Sequence, residues 1–284
     1  MTETARFLQC SSVISPDGEK FAFISNQDDQ FDVFIAKTKN GEIIDEVVSG
    51  NTSSDFEELH ILTPGLSWSP DGKKIALSAK AGDKDVIYII DIKTEERKTL
   101  PLSFDMIKLS TNWSPVGNKI AFIGSRNEES NLFTYDLYNK KLEMLTDDIF
   151  SDSNPTWALD GKSIFFTSDR GDYTDQNNIP KDINMWEYDF SNTDYYRIDI
   201  ATRDIDRLSN TKNSKESFGQ ISPDGKKVLY VSDKNGISNI YLREQDSAGN
   251  IIDRPITNSL VLLNRSQCQE MAKAFIRFSE QERI

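Results

Sequence analysis

An acidic stretch in the second half of the chain is the clearest candidate for chemistry. The run "DRGDYTDQNN" places three aspartates and an asparagine close together, and their side-chain oxygens are the hard ligands that calcium prefers: Asp169, Asp172, Asp175 and Asn177. The spacing does not match an EF-hand loop, and solvated acidic loops are common. The run therefore has two interpretations, a calcium site and a solvated loop. The sequence favours the solvated loop and predicts no other cofactor.

Enzyme chemistry has little support elsewhere in the chain. His60 is the only histidine and no GxSxG motif occurs, so a Ser-His-Asp triad is a poor candidate. Carboxylates that could form an acid–base pair for glycoside hydrolysis are numerous, but the sequence does not select one pair. We therefore predict a protein that is not an enzyme. The alternative is a carboxylate-based or calcium-dependent hydrolase.

Composition narrows the choice of partners and compartment. The 284 residues include 46 acidic and 33 basic side chains, and the net charge of -13 disfavours nucleic acid and anionic lipid surfaces as partners. Cys10 and Cys268 lie near opposite ends, which predicts no disulfide framework. No apolar run is long enough to insert into a membrane, and the first residues lack the features of a secretory signal. We expect either a cytoplasmic protein or a chain whose native N-terminus is missing.

A hairpin motif occurs five times and determines the fold. The copies are "VISPDGEKFAFIS" from Val13, "SWSPDGKKIALSA" from Ser67, "NWSPVGNKIAFIG" from Asn112, "TWALDGKSIFFTS" from Thr156 and "QISPDGKKVLYVS" from Gln220. Four copies have a proline that presets the turn dihedral: Pro16, Pro70, Pro115 and Pro223. All five have a glycine where the chain reverses with positive φ: Gly18, Gly72, Gly117, Gly161 and Gly225. Alternating apolar residues after each turn predict a strand.

Two further strands follow each hairpin. The third begins with runs such as "DVFIAK" and "DVIYIID", and the fourth is plainest in "YNKKLEMLT" and "ATRDIDRLS". A repeat of about 40 to 45 residues with four antiparallel strands is the signature of a β-propeller blade. The fold class predicted is therefore all-β, a β-propeller of four-stranded antiparallel blades.

The "SPDGKKIAF"-type hairpin, the "DIYxxD"-like third strand and the "RLT"-like closing strand resemble the TolB-like, WD40-like propeller family. The stretches "FFTSDRGDYTDQNN" and "KKVLYVSDKNGISNIYL" resemble the propeller module of large bacterial cell-envelope proteins. The resemblance implies a non-catalytic scaffold for protein–protein interaction, a periplasmic or cell-envelope location, and a place in a larger protein or complex. A weaker resemblance is to the gating propeller of prolyl-oligopeptidase-like peptidases without the catalytic domain.

The propeller is expected to cover residues 1–260, with five full blades and a partial or absent sixth. Residues 261–284 depart from the repeat. Cys268, Met271, Ala272, Phe275 and Ile276 form an apolar stripe with helical spacing, which predicts a short C-terminal helix. The tail has three interpretations. It could be a helix that fills the position of a sixth blade, or the end of a fragment that does not belong to the repeat. A helix that binds a partner is the least favoured.

Long loops identify the face where binding is expected. In a four-stranded meander the second-to-third and blade-to-blade connections lie at one end, and all long loops belong to these two classes, including one insertion in the fourth blade. Loops at this end are acidic, which favours a protein or peptide partner with basic character. The predicted binding residues are Asp55, Glu57, His60, Asp148, Asp169, Arg170, Asp172, Tyr173, Asp175 and Trp186. Tyr173 and Trp186 are expected either to anchor the partner or to pack the loop onto its own blade.

Overall fold

The computed structural model describes residues 9–25, 32–49, 58–59, 65–81, 84–102, 104, 106–126, 129–180, 183–184, 186–222, 227–246 and 248–257. The chain divides into two compact units, Met1–Asn127 and Glu128–Ile284. The described residues form five antiparallel sheets in chain order. The predicted class of four-stranded propeller blades is confirmed. The predicted C-terminal helix, the turn residues Pro223 and Gly225, and the binding residues Asp55, Glu57 and His60 lie outside the described residues.

Each sheet is a meander in which consecutive strands pair. The first sheet contains β1 (Gln9–Ile14), β2 (Lys20–Ser25), β3 (Asp32–Lys37) and β4 (Ile43–Val48). The second contains β5 (Glu58–Leu59), β6 (Leu66–Trp68), β7 (Lys74–Ala81), β8 (Lys84–Asp91) and β9 (Arg97–Thr99). β5 and β6 both pair with β7, so together they occupy the first strand position of this sheet.

The remaining three sheets have four strands each. The third contains β10 (Met106–Trp113), β11 (Lys119–Arg126), β12 (Glu129–Asp136) and β13 (Lys141–Met144). The fourth contains β14 (Asp152–Trp157), β15 (Ser163–Ser168), β16 (Asp194–Asp199) and β17 (Ile205–Arg207). The fifth contains β18 (Glu216–Ile221), β19 (Lys227–Ser232), β20 (Asn239–Gln245) and β21 (Ile251–Pro255).

The first unit is held together by apolar side chains from its first two sheets. Ile24 and Ile35 of the first sheet and Leu77 and Ile90 of the second belong to one buried cluster. Trp68 joins this cluster, and its indole Nε1 donates to the carbonyl oxygen of Val13 at 2.9 Å. The large residue before the hairpin turn thus packs one sheet on the next and bonds to the neighbouring first strand.

The short hairpin turns are built by side chains as well as by glycine. In the second sheet the Ser69 hydroxyl donates to Asp71 Oδ1 at 2.6 Å and accepts from the amide of Lys74 at 2.9 Å. Gly72 has φ +66°, and its amide donates to the carbonyl of Ser69 at 2.9 Å. Gly18, Gly117 and Gly161 also have positive φ, a conformation that costs other residues about 1 kcal/mol or more. These turns join the first two strands of the first four sheets, and in the fourth sheet the long insertion between β15 and β16 leaves from the opposite end.

Candidate functional site

The insertion of the fourth sheet connects β15 to β16 and spans residues 169–193. One 3₁₀ turn, Gln176–Asn178, lies within it, and Asp175 caps this turn by accepting from the amide of Asn177 at 3.0 Å. The Tyr188 hydroxyl donates to the carbonyl of Asp169 at 2.8 Å, which ties the end of the insertion to its beginning. The long loop is therefore fixed by its own hydrogen bonds.

A buried ion-pair network fixes the first residues of the insertion. The Arg170 side chain is 0% exposed. Its Nη1 lies 2.9 Å from Asp148 Oδ2 and its Nη2 lies 2.7 Å from Asp152 Oδ1, while Nε donates to the Ser168 hydroxyl at 3.1 Å. Burial by itself would lower the pKa of Arg170, but the charges of Asp152 and Asp148 raise it, so the guanidinium stays protonated. Arg170 is a structural cation of the interior.

Three aromatic rings surround the same guanidinium. Its Cζ lies 5.3 Å from the ring centroid of Phe166 and 5.8 Å from those of Phe150 and Tyr196. At such distances a cation over an aromatic face is attracted by the ring quadrupole. Strand β15, strand β16 and the connection before β14 thus all contribute to one cation site within the second unit.

Asp169 is also buried, beside this network. Its Oδ1 accepts from the amide of Ser151 at 2.8 Å. Burial raises the pKa of Asp169 to about 6, against the opposing effect of the Ser151 hydrogen bond. Burial likewise raises the pKa of Asp148, although the charge of Arg170 opposes the shift. These carboxyl groups join the insertion to the connection before β14.

The side chains of the calcium interpretation have separate partners in this structure. Asp169 faces Ser151, Asp172 is 90% exposed and pairs with Arg207, and Asp175 caps the 3₁₀ turn. Among the residues that the structure describes, no group of three or more His, Cys, Asp or Glu side chains is placed to hold a metal ion. The four residues Asp169, Asp172, Asp175 and Asn177 are close in sequence, but local hydrogen bonds direct their side chains to different partners.

Three of the predicted binding residues, Arg170, Asp148 and Asp169, are buried in this structure. A partner cannot contact Arg170 unless the loop unfolds, because the guanidinium is enclosed by its carboxylates and rings. The prediction missed Asp152, Phe150 and Tyr188, which complete the interior of the site. No local motif marks them, since they come from three separate segments.

A second aromatic layer supports the outer part of the insertion. Tyr173 stacks on Phe150, with ring centroids 5.4 Å apart and planes at 19°. Tyr188 lies 5.6 Å from Phe150 and 4.6 Å from Phe190. Tyr173 therefore packs the loop onto the body of the unit, which is the second of its two predicted roles. Its remaining exposed surface faces a groove.

Trp186 behaves differently, since it is 97% exposed. It lies on a turn built by Asn184, whose Oδ1 accepts from the Trp186 amide at 3.1 Å and whose carbonyl accepts from the amides of Glu187 and Tyr188 at 3.0 and 3.1 Å. A fixed turn thus presents a large aromatic side chain to solvent. Beside it lies a shallow groove of about 350 Å³ lined by Tyr173, Pro180, Ile183, Asn184, Glu187 and Tyr188.

Repeated four-stranded antiparallel meanders define the class of the protein as a β-propeller. Residues 51–176 match the model of the family described as the TolB beta propeller domain. Among solved structures, the chain is 25% identical to TolB from Acinetobacter baumannii, with a TM-score of 0.60. The match covers 90% of this chain and 54% of that protein. The resemblance to the TolB-like β-propellers is therefore confirmed.

Two other solved structures show how widely the fold is shared. The putative TolB from Agrobacterium tumefaciens is 19% identical, with a TM-score of 0.61 over 87% of this chain and 80% of that one. An oligogalacturonate lyase from Vibrio parahaemolyticus is 12% identical, with a TM-score of 0.57 over 93% of this chain and 71% of that one. No curated protein matches the sequence significantly. In the described part of the chain, no helix is long and apolar enough to cross a membrane.

Proposed function

We propose that this chain is a non-catalytic propeller module that binds a protein partner through the insertion of the fourth sheet. The observation that carries the proposal is Trp186, a fully exposed aromatic side chain on a turn that is held in place from below. Tryptophan is among the residues that contribute most to binding energy at interfaces. Rigid presentation also lowers the entropy cost of association.

The proposed setting is the bacterial cell envelope, with the propeller as one module of a larger protein or complex. Support for this location comes from the resemblance to TolB-like modules alone. The acidic balance of the chain, 46 acidic against 33 basic side chains, favours a partner whose contacting segment is basic. The hydrolase alternative has no support at this site, because the two carboxylates that converge on the insertion, Asp148 before β14 and Asp152 at its start, are both paired with the buried Arg170.

A pull-down from envelope extract tests the proposal. The purified chain should retain a stoichiometric protein partner, and Trp186→Ala should reduce the retained amount at least about tenfold, as expected for loss of an interface hot spot. Tyr138→Ala is the matched control, because Tyr138 is 82% exposed and lies in the turn between β12 and β13, a short turn of the other class. Equal retention by the wild-type chain and the Trp186 variant would overturn the assignment to the insertion.

The structure also changes how deletion of the insertion should be designed. From the sequence alone, replacing residues 170–193 with a short turn is expected to keep the fold intact and to abolish partner binding. The replacement would remove Arg170 and leave Asp148 and Asp152 buried without their cation, which destabilises a protein by several kcal/mol. Point substitution of Trp186 avoids this loss of stability, so a loss of binding can be attributed to the surface.

A further inference from the structure

The groove beside Trp186 has two aromatic walls with a fixed geometry. The rings of Tyr173 and Tyr188 lie 6.0 Å apart with planes at 48°, and both contact Phe150 beneath them. The Tyr188 hydroxyl is held by the carbonyl of Asp169. The tyrosine rings therefore cannot rotate freely, and the groove between them is preformed.

Charge in the sequence around the groove is mostly negative. Residues 171–193 contain one basic residue, Lys181, and the acidic residues Asp172, Asp175, Asp182, Glu187 and Asp189. Arg207 compensates Asp172. Among the described residues, Asp175 and Asp189 accept hydrogen bonds from neutral groups, such as the Asn177 amide and the Ser191 hydroxyl. The field at the groove thus favours a cationic side chain, and the exposed face of Trp186 is a good surface for one.

The surrounding strands restrict the conformation of a bound segment. β15 and β16 each pair on both sides, with β14 and β17 as their outer neighbours, so neither has a free edge for an added strand. An amphipathic helix needs a long apolar groove that accepts anchors over two turns. A short groove walled by tyrosine and proline instead matches the recognition of polyproline II segments, whose rings pack against aromatic side chains at low entropy cost.

We infer that this groove binds an extended, proline-containing segment of the partner, with an adjacent arginine or lysine near Glu187 and Trp186. The inference rests on the proposed function and names its ligand class. Proline rings would lie against Tyr173 and Tyr188, and the cationic group would lie over the Trp186 indole.

Intrinsic fluorescence gives a direct test, since the chain has four tryptophans and the other three, Trp68, Trp113 and Trp157, are at most 7% exposed. The probe is a synthetic ten-residue peptide with prolines three residues apart and two arginines at one end. Two companion peptides replace the prolines with alanine or the arginines with glutamate. We expect the probe to shift the Trp186 emission to the blue, and each companion to bind about fivefold to tenfold more weakly. Glu187→Gln should weaken binding of the probe but should not change binding of a proline peptide without arginine.

The results separate this inference from the function on which it rests. Equal binding of the alanine companion, or no spectral change with any peptide, would overturn the inference. The pull-down could then still show a partner that depends on Trp186, so the proposed function would stand with another ligand class. If no peptide changed the fluorescence and Trp186→Ala did not reduce the protein retained in the pull-down, both proposals would be refuted. Tyr138→Ala should bind the probe like the wild-type chain.

Discussion

Arg170 determines how the insertion of the fourth sheet can serve a surface function. A buried ion pair is weak support for stability, because desolvation of the charges offsets their attraction. Removal of one partner, however, leaves the other charge buried and unpaired. Asp148 and Asp152 would both be left in this state without Arg170. The network therefore makes the insertion an integral part of the second unit.

Arg170→Met should lower the free energy of unfolding by about 3 to 5 kcal/mol, since two buried carboxylates lose their cation. Arg197→Met is the matched control. Arg197 pairs with Asp206 across exposed strand positions, where both side chains are about half exposed, and such pairs contribute roughly 0 to 1 kcal/mol. Urea unfolding of the two variants measures the difference. Equal midpoints would show that the Arg170 network does not stabilise the fold.

Asp169 gives a prediction about pH. Its pKa is raised to about 6 in the folded chain, above its ordinary value near 4, so folding favours the protonated form. The stability associated with that proton is complete below about pH 4 and is lost as pH rises through 6. Asp169→Asn should therefore have little effect at pH 4 and should be more stable than wild type at pH 7.5, by on the order of 2 kcal/mol.

Unfolding in urea at several pH values measures this difference, and the asparagine can still accept the Ser151 hydrogen bond. The comparison with wild type at each pH removes the contribution of the other carboxyl groups. A constant difference between pH 4 and pH 7.5 would contradict the raised pKa of Asp169.

The burial of Arg170 could not be predicted from its neighbours, because "SDRGD" has the composition of a solvated turn. A signal does exist in the repeat. The fifth sheet has Lys234 at the matching position after β19, and its Nζ lies 4.0 Å from the ring centroid of Tyr241 and 5.7 Å from that of Tyr230. A cation two residues after the second strand, opposite paired aromatics, thus recurs. Its partners come from distant segments, so one motif alone cannot reveal the site.

At the scale of the blade, a side-chain hydroxyl that follows the fourth strand accepts a hydrogen bond from the third strand in each of the last three sheets. Thr146 and Ser209 accept from the amides of Leu132 and Tyr195, each at 2.8 Å. Thr257 accepts from the amide of Ile240 at 2.9 Å. The "RLT"-like ending that indicated the family therefore has a physical role, because its hydroxyl satisfies a buried amide of the third strand.

Thr146→Val should destabilise the fold by about 2 to 3 kcal/mol. The Thr146 hydroxyl also donates to Asp152 Oδ2 at 2.6 Å, so the variant removes the side-chain partner of the buried Leu132 amide and one hydrogen bond of a buried carboxylate that keeps its ion pair with Arg170. Valine has nearly the same shape, which limits packing effects. Thr202→Val, in an exposed turn, should change stability by less than about 0.5 kcal/mol. Thermal unfolding of both variants measures the effect, and a Thr146 variant as stable as the Thr202 variant would contradict it.

The sequence predicted the blades well and the insertion poorly, for one physical reason. Turn glycines such as Gly72 and alternating strands such as β7 are local signals that repeat, so each copy supports the others. The insertion has no counterpart in other blades. The position of Tyr173 depends on packing against Phe150, which lies in the connection before β14, and that of Trp186 depends on the turn built by Asn184. The sequence identified the loop and its aromatic residues, but it could not predict that Trp186 is exposed and Tyr173 is packed.

At the scale of the whole molecule, net charge and local structure act together at the insertion. The chain carries a charge of -13, and the sequence of the insertion, residues 169–193, has six acidic residues against two basic ones, of which Arg170 is buried in its ion-pair network. Long-range attraction of this kind raises association rates more than it raises affinity. The rate of association with a basic partner should therefore fall as the salt concentration increases. The electrostatic potential around Trp186 can also be measured without a partner.

Charge-selective quenching measures the potential at Trp186. Caesium should quench the exposed tryptophan about twofold more strongly than iodide, each relative to free N-acetyltryptophanamide, because a negative field concentrates cations and repels anions. The difference should shrink in about 0.5 M sodium chloride, where the Debye length is only a few ångströms. Replacing Glu187 and Asp189 by their amides should lower the ratio. Asp160→Asn, at the opposite end of β15, should not, and equal effects of these variants would place the responsible field elsewhere on the molecule.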